Sequence, residues 1–429
     1  LFALGTATVS AVDGKKLTAY VNPMIGTSGM GHTFPGACAP FGIVQLSPET
    51  DTIPQNVDGR YQGKVYEYCA GYQHTDPTIV GFSHTHLSGT GHSDLGDVML
   101  MPQTGSLRLN PGTATHPDAG YRSRFNHDTE KAAPGYYEVM LADEGVRAQL
   151  TATQRVGVHK YTFPKGADSR VILDMLHGIY NYDGKVLWSS IRVENDTLLT
   201  GYRITNGWAN CNYTYFAITL SKPIKSYGYR DMKKPKYRGF MGKLRLHENF
   251  PEIAGRDIVA YFNFDNVTSQ ELVVKVALSA VSTEGALKNL RSEVGGKSFE
   301  QVYAETDAQW NKELDVIECT GTSDQMAMLY TSLYHTMINP SVYMDVDRQY
   351  RGLDGNIHKA DGFTNYTIFS LWDTYRAEHR YGKVDDCSPA TERSSPLACV
   401  EPYGKRGLVY DWVSCCISIV RCYCKRGRC

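Results

Sequence analysis

Net charge is almost absent from this chain: 44 Lys and Arg stand against 45 Asp and Glu, leaving 429 residues at −1. No overall field draws such a protein to nucleic acid or to anionic lipid, so a neutral or small partner is expected. Long apolar runs are also missing. Nothing reaches the about 18 continuous apolar residues that cross a bilayer, so no membrane-spanning helix is expected. There is no internal repeat and no low-complexity linker. Cysteine is scarce over most of the length: residues 1–380 contain only Cys38, Cys69, Cys211 and Cys319, whereas the last 49 contain Cys387, Cys399, Cys415, Cys416, Cys422, Cys424 and Cys429. That tail has no Cys-x-x-Cys pair and no histidine, so its spacing does not make a zinc module.

The length suits two domains, and the residue pattern divides accordingly. LFALGTATVSAVDG reads as the end of an apolar export signal followed by small residues, so residues 1–19 are assigned to a leader and the mature protein to the periplasm or the cell exterior; an ordinary first strand is the alternative. Residues 20–281 show short alternating runs divided by turn residues. In YYEVMLADEGVRAQLTATQ, Val139 and Leu141 take alternate positions, Asp143 to Gly145 supply a turn, and Val146, Ala148 and Leu150 resume the alternation, which predicts a hairpin. SRVILDM, DIVAYFNF and ELVVKVALSAV continue the theme, and the domain is expected to be a large antiparallel β-sandwich. After Val281 the period becomes helical. Phe299, Val302, Tyr303, Thr306 and Trp310 share one stripe; Met326, Leu329, Tyr330, Leu333, Tyr334 and Met337 share another, with Ser323 expected at the N-cap and Pro340 just beyond. Residues 282–321 are read as a helical linker and 322–380 as the opening of a second, helical domain. From Tyr381 no period is sustained, and residues 381–429 are read as an aberrant, out-of-frame tail.

Three stretches carry candidate chemistry. GFSHTHLSGTGHSD, residues 81–94, holds three histidines. If Phe82 to Leu87 is extended, His84 and His86 share a face, and with His92 and Asp94 or Asp97 they could bind zinc; a hydrogen-bonding floor for a ligand and buried structural histidines are the other readings. NPMIGTSGMGHTFPGACAPFG, residues 22–42, is rich in glycine but lacks the Gly-Lys-Ser/Thr ending of a phosphate loop, so it is expected to form a tight rim loop carrying His32 and Thr33. In DGFTNYTIFSLWDTYR, residues 361–376, Trp372 offers a ring face to a sugar and Asp373 can accept from vicinal hydroxyls; a core Trp beside a solvated Asp fits as well. The 29 tyrosines favour a carbohydrate ligand weakly, since most serve simply to fill strands.

YVNPMIGTSGMGHTFPGACAPFGIVQLSPETDT, AGYQHTDPTIVGFSHTHLSGTGHSDLGDVMLMP and YRGLDGNIHKADGFTNYTIFSLWDTYRA together resemble the signature blocks of glycoside hydrolase family 92, exo-acting α-mannosidases, from about Tyr20 to Ala377. The resemblance implies a mainly β N-terminal super-sandwich, linker helices and the start of an (α/α)6 barrel. It implies inverting release of mannose from mannose-containing glycans, α-1,2-mannosidase-like, with calcium as cofactor on the mannose O2 and O3. A glutamic acid would protonate the leaving oxygen while an aspartate activates water across carboxyls about 6.5–9.5 Å apart. It implies substrate contacts at Trp372, Asp373, His84, His86, Ser88 and His32. The family's acid, base and most calcium ligands lie downstream of SLWDTYR, and the pattern departs at about Glu378. No residue here is therefore assigned as catalytic, and the 429-residue chain is expected to be inactive. A non-catalytic mannose-binding sandwich and a zinc hydrolase using His84, His86 and His92 are the alternatives.

Overall fold

A computed structural model describes residues 16–50, 56–230, 251–265 and 270–368. Two antiparallel sheets form the sandwich. The seven-stranded sheet runs Ala37–Cys38, Gln45–Glu49, Gly81–Ser83, Met99–Gln103, Ser169–Asp174, Val259–Phe264, Ile224–Tyr229. The nine-stranded sheet runs Glu252–Gly255, Val186–Asn195, Leu198–Thr205, Asn212–Leu220, Glu271–Ser279, Val156–Thr162, Val146–Ala152, Tyr136–Leu141, Lys131–Ala133. Burial alternates along residues 146–150 of the nine-stranded sheet, whereas Gln45–Glu49, Met99–Gln103 and Ser169–Asp174 are buried at every position. The predicted hairpin forms with Leu141 opposite Val146 and Gly145 in left-handed backbone at φ +62. Val139, Leu141, Val146, Ala148 and Leu150 are fully buried. Between the sheets, Leu46, Phe82, Met99, Ile172 and Phe262 meet Tyr161, Phe216, Ile218 and Val276 in one core. Burying each such side chain contributes about 1.5–3 kcal/mol.

Three helices follow: α1, Thr283–Val294; α2, Phe299–Leu314; and α3, Ser323–His335. Helix α1 lays Ala286, Leu290 and Val294 on Val156, Val158, Ala217 and Ala277 of the nine-stranded sheet. The stripe read along α2 is its buried face: Phe299, Val302, Thr306 and Trp310 are enclosed, Trp310 Nε1 donates to Cys38 O at 2.7 Å and Thr306 Oγ1 to Ala152 O at 2.8 Å. Helix α3 places Tyr330, Leu333 and Tyr334 in a second cluster with Phe34, Cys38 and Trp310. Its N-cap is Thr322, not Ser323: Thr322 Oγ1 accepts from Gln325 N, and the Gln325 side chain returns to Thr322 N, closing a capping box. Ser323 lacks that reciprocal partner and becomes the first helical residue.

The described end of the stretch assigned to the leader is part of the packed fold. Leu17–Tyr20 forms a 3-10 turn, Leu17 is buried, and its N–H donates to Asn311 Oδ1 at 2.6 Å on α2. Beyond α3 the described residues are two short antiparallel pairs, Ser341–Val342 with Tyr366–Thr367 and Gln349–Arg351 with Ile357–Lys359, where helix alone was expected. The tail at 381–429, with its cysteines, lies outside the described residues.

Replacing the cap tests its assignment. Thr322→Ala is expected to destabilise the protein by about 1 kcal/mol in urea unfolding, whereas Ser323→Ala has a smaller effect.

Candidate functional site

The glycine-rich stretch folds as a rim loop because its turns close on themselves. Thr33 N donates to Gly26 O at 3.3 Å, and Thr33 Oγ1 to Ile25 O at 3.0 Å. A Cβ at Gly31 would stand 2.1 Å from Gly26 O, so only glycine fits. His32 follows in left-handed backbone at φ 52, a conformation non-glycine residues adopt at a cost. Its carbonyl accepts from Gly89 N at 2.7 Å, which ties the rim loop to the histidine-rich loop at Ser88 and Gly89. The His32 ring stands edge-on to Tyr66 at 5.0 Å, and its Nε2 is buried with no hydrogen-bond partner among the described residues. Desolvation lowers its pKa, so the ring favours the neutral form.

His84 and His86 occupy a different layer. The strand that starts this stretch ends at Ser83, so the extended run to Leu87 does not form. Both histidines are fully buried with both ring nitrogens engaged. His84 Nδ1 lies 2.6 Å from Val98 O and His84 Nε2 lies 3.0 Å from His159 Nε2; His159 Nδ1 lies 2.8 Å from the Tyr161 hydroxyl. A carbonyl only accepts, so His84 carries its hydrogen on Nδ1. His159 then donates to His84, and Tyr161 to His159. Burial brings His84 down to about 3 and His159 further below its ordinary range. A Cβ on Gly157 would meet His84 Cδ2 at 2.8 Å, so the ring packs flush against the opposite sheet.

His86 Nδ1 donates to Gln45 O at 2.6 Å, and its Nε2 faces Glu49 Oε1 at 2.9 Å. Both nitrogens are thereby occupied, one by a carbonyl and one by a carboxylate. Burial works to raise Glu49, but His86 and His177, the latter 3.7 Å away, outweigh it and hold the carboxyl at about 2. Every ring nitrogen of His84 and His86, the two expected substrate contacts on this strand end, is thus engaged within the protein.

The zinc reading fails on the same geometry. His84 is committed to His159 and His86 to Glu49, while His92 lies stacked on Trp208 at 4.1 Å. Asp94 pairs with Lys185, which is 1 % exposed, and Asp97 Oδ1 lies 3.1 Å from the buried Arg203. No metal-ligating group of three forms from His84, His86 and His92 among the described residues.

Of the expected substrate contacts, the structure brings together His32 and Ser88, the latter half-buried, on one face. Trp372 and Asp373 lie outside the described residues. The described start of their stretch reaches this region through Tyr366, whose ring is 6.3 Å from Phe41 at the end of the rim loop. Sequence reasoning missed Tyr66 and Trp208. Tyr66 sits under Gly91, where a Cβ would stand 2.2 Å from its hydroxyl. Trp208, 45 % exposed, is fixed by its N–H to Asp94 Oδ2 at 2.9 Å, and so by the Asp94 and Lys185 pair. An aromatic directly after Asn206-Gly207 was the available signal.

Two family models match. The glycosyl hydrolase family 92 N-terminal domain matches residues 20–279, more than half of the chain, and the family's catalytic domain matches 285–412, running past the point where the sequence pattern departs. A family GH92 α-mannosidase from Bacteroides thetaiotaomicron, solved in complex with mannoimidazole, is 42% identical with a TM-score of 0.77 over 86% of this chain and 46% of its own. A family GH92 inverting mannosidase from Bacteroides thetaiotaomicron VPI-5482 is 26% identical with a TM-score of 0.69, over 86% and 46%. An uncharacterized secreted glycosidase of Arthroderma benhamiae is 26% identical over 390 residues, 86% of this chain and 46% of that protein. The chain thus spans about half the length of the relatives it matches.

The buried histidine pair predicts acid sensitivity. The folded pKa of His84, about 3, lies below the unfolded 6.5, so the unfolded chain takes up the proton first. Stability is complete above about pH 6.5 and falls as the pH drops from there toward 3, at about 1.4 kcal/mol per pH unit for His84 alone. Urea unfolding is expected to show a lower midpoint at pH 5 than at pH 7; equal midpoints would contradict a neutral buried pair.

Proposed function

Because the chain belongs to glycosyl hydrolase family 92, we propose that its rim and histidine-rich loops form the sandwich half of a mannoside site, in a protein that releases mannose from α-mannosides with inversion. The observation that carries this reading is the tie between the two loops. Gly89 N to His32 O sets Ser88 beside His32, whose buried Nε2 is unpartnered and suits a sugar hydroxyl. The mannoimidazole bound to a relative 42% identical supports the sugar class. Trp372 and Asp373 are assigned to the mannose from the other side, as ring face and hydroxyl acceptor.

These loops bind and orient; they do not supply acid or base. An inverting mechanism needs one protonated carboxyl and one free carboxylate about 6.5–9.5 Å apart. Here Glu49 is bound to His86, Asp94 to Lys185 and Asp97 to Arg203, each enclosed beneath the loops. Nor do the described residues fit calcium, which takes 6–8 oxygen ligands. The one convergent ligand group among them has two imidazoles and a single carboxylate. An exported location accords with the opening residues and with a relative named as secreted; no described helix is long and apolar enough to cross a membrane.

The purified 429-residue chain, assayed on an aryl α-mannoside with calcium, is expected to show no turnover; turnover abolished by EDTA would overturn this division of roles. Calorimetry with α-mannobiose is expected to show binding that weakens about 10-fold in His32→Asn, which keeps the left-handed backbone and loses the ring nitrogen. Unchanged affinity would remove His32 from the site.

A further inference from the structure

The rim loop is braced from behind by residues 72–74. Gln73 brackets Gly29, with Gly29 N donating to its Oε1 and its Nε2 donating to Gly29 O, both at 2.9 Å; His74 N donates to Thr27 O at 2.9 Å. The His74 ring is exposed and lies 4.2 Å, centroid to centroid, from the ring of His127. His127 opens a 3-10 turn, His127–Thr129, capped by Asn126, and Phe125 packs edge-on against its ring at 4.8 Å. His127 Nδ1 donates to Glu130 Oε2 at 2.5 Å. Glu130 has a side chain only 3% exposed. The Tyr72 hydroxyl donates to both its oxygens at 3.0 Å, and the Tyr137 hydroxyl donates to Oε1. Oε1 is thus held by two phenols, while Oε2 faces His127. One ligand atom from each of His74, His127 and Glu130 lies within 4.8 Å of the other two.

We propose that His74, His127 and Glu130 bind a divalent transition metal of the zinc class. Two imidazoles and one carboxylate are the donors such ions select, and calcium, which needs a shell of oxygens, does not suit them. Ligand bonds of about 2.0–2.2 Å require donor atoms about 3.3 Å apart, which the exposed His74 ring reaches by rotating. The metal takes the place of the hydrogen between His127 Nδ1 and Glu130 Oε2, and the neutral ring carries that hydrogen on Nε2 instead. Tyr72 and Tyr137 keep Glu130 oriented from outside the coordination sphere. The site clasps the 72–74 segment to the sandwich edge at residues 126–137. The same segment grips Thr27 and Gly29, so a bound ion stiffens the rim loop that carries His32. The assignment stands independently of the mannoside reading.

Zinc titration of the metal-stripped chain by calorimetry tests it, with cobalt spectra to tell this site from any thiolate site. The wild type is expected to bind one equivalent more than His74→Ala, whose unloaded melting temperature should match wild type because the side chain is exposed. Tyr137→Phe keeps all three ligands and is expected to weaken that equivalent by about 10-fold. Cobalt at this site should give weak visible bands without thiolate charge transfer. Equal stoichiometry in the wild type and His74→Ala, or a lost equivalent whose cobalt spectrum is that of a thiolate site, would overturn the proposal.

Discussion

Much of this fold hangs on one enclosed cation. Arg203 rises from the strand Leu198–Thr205 with no exposed surface and donates to Asp97 Oδ1 at 3.1 Å, to Gly96 O at 3.2 Å and to His177 O. It thereby fastens the end of the histidine-rich loop, which leaves the seven-stranded sheet, to the nine-stranded sheet. Leu95, Gly96 and Val98 all sit in left-handed backbone around that contact, a strain that persists only where the surroundings over-determine it. Leaving Asp97 buried without its partner would cost about 3–5 kcal/mol, because the remaining charge keeps its desolvation penalty. The Glu49 and His86 pair and the Asp94 and Lys185 pair repeat the device on either side.

The loops above this polar layer are consequently placed by chemistry beneath them, not by regular structure within them. Gly89 and Ser88 meet His32 because the segments on both sides are pinned: Thr85 Oγ1 donates to Asp97 Oδ2 at 2.8 Å, and His86 N donates to Gln45 Oε1 at 3.0 Å. Trp208 is held above Asp94 by a single backbone bond backed by Lys185. Rigid support of this kind lets a loop present polar groups to a ligand with little entropy left to lose.

The sandwich was legible because burial imposes a strict period. Val139, Leu141, Val146, Ala148 and Leu150 fall on the buried side of a two-residue alternation on each arm of the turn, and the hairpin register follows. The helices were legible for the same reason, down to the buried faces of α2 and α3. The cap at Thr322 was misplaced by one residue because two adjacent hydroxyl side chains offer the same local signal, and only the return bond from Gln325 distinguishes them. The site was harder to read. In GFSHTHLSGTGHSD the side chains answer to partners distant in the sequence, His84 to His159 and His86 to Glu49, and no local spacing encodes them. The resemblance to family 92 pointed to these loops, and within them the ring nitrogens of His84 and His86 are taken up by partners inside the protein. His74 and His127 meet only through tertiary structure, so neither stood out from its neighbours.

The order of hydrogens along Tyr161, His159, His84 and the Val98 carbonyl is dictated by one end that can only accept. A chain so committed gives the motif a meaning separate from activity. Through it GFSHTHLSGTGHSD acts as a rivet, tying the end of a strand in the seven-stranded sheet to Val156–Thr162 of the nine-stranded one.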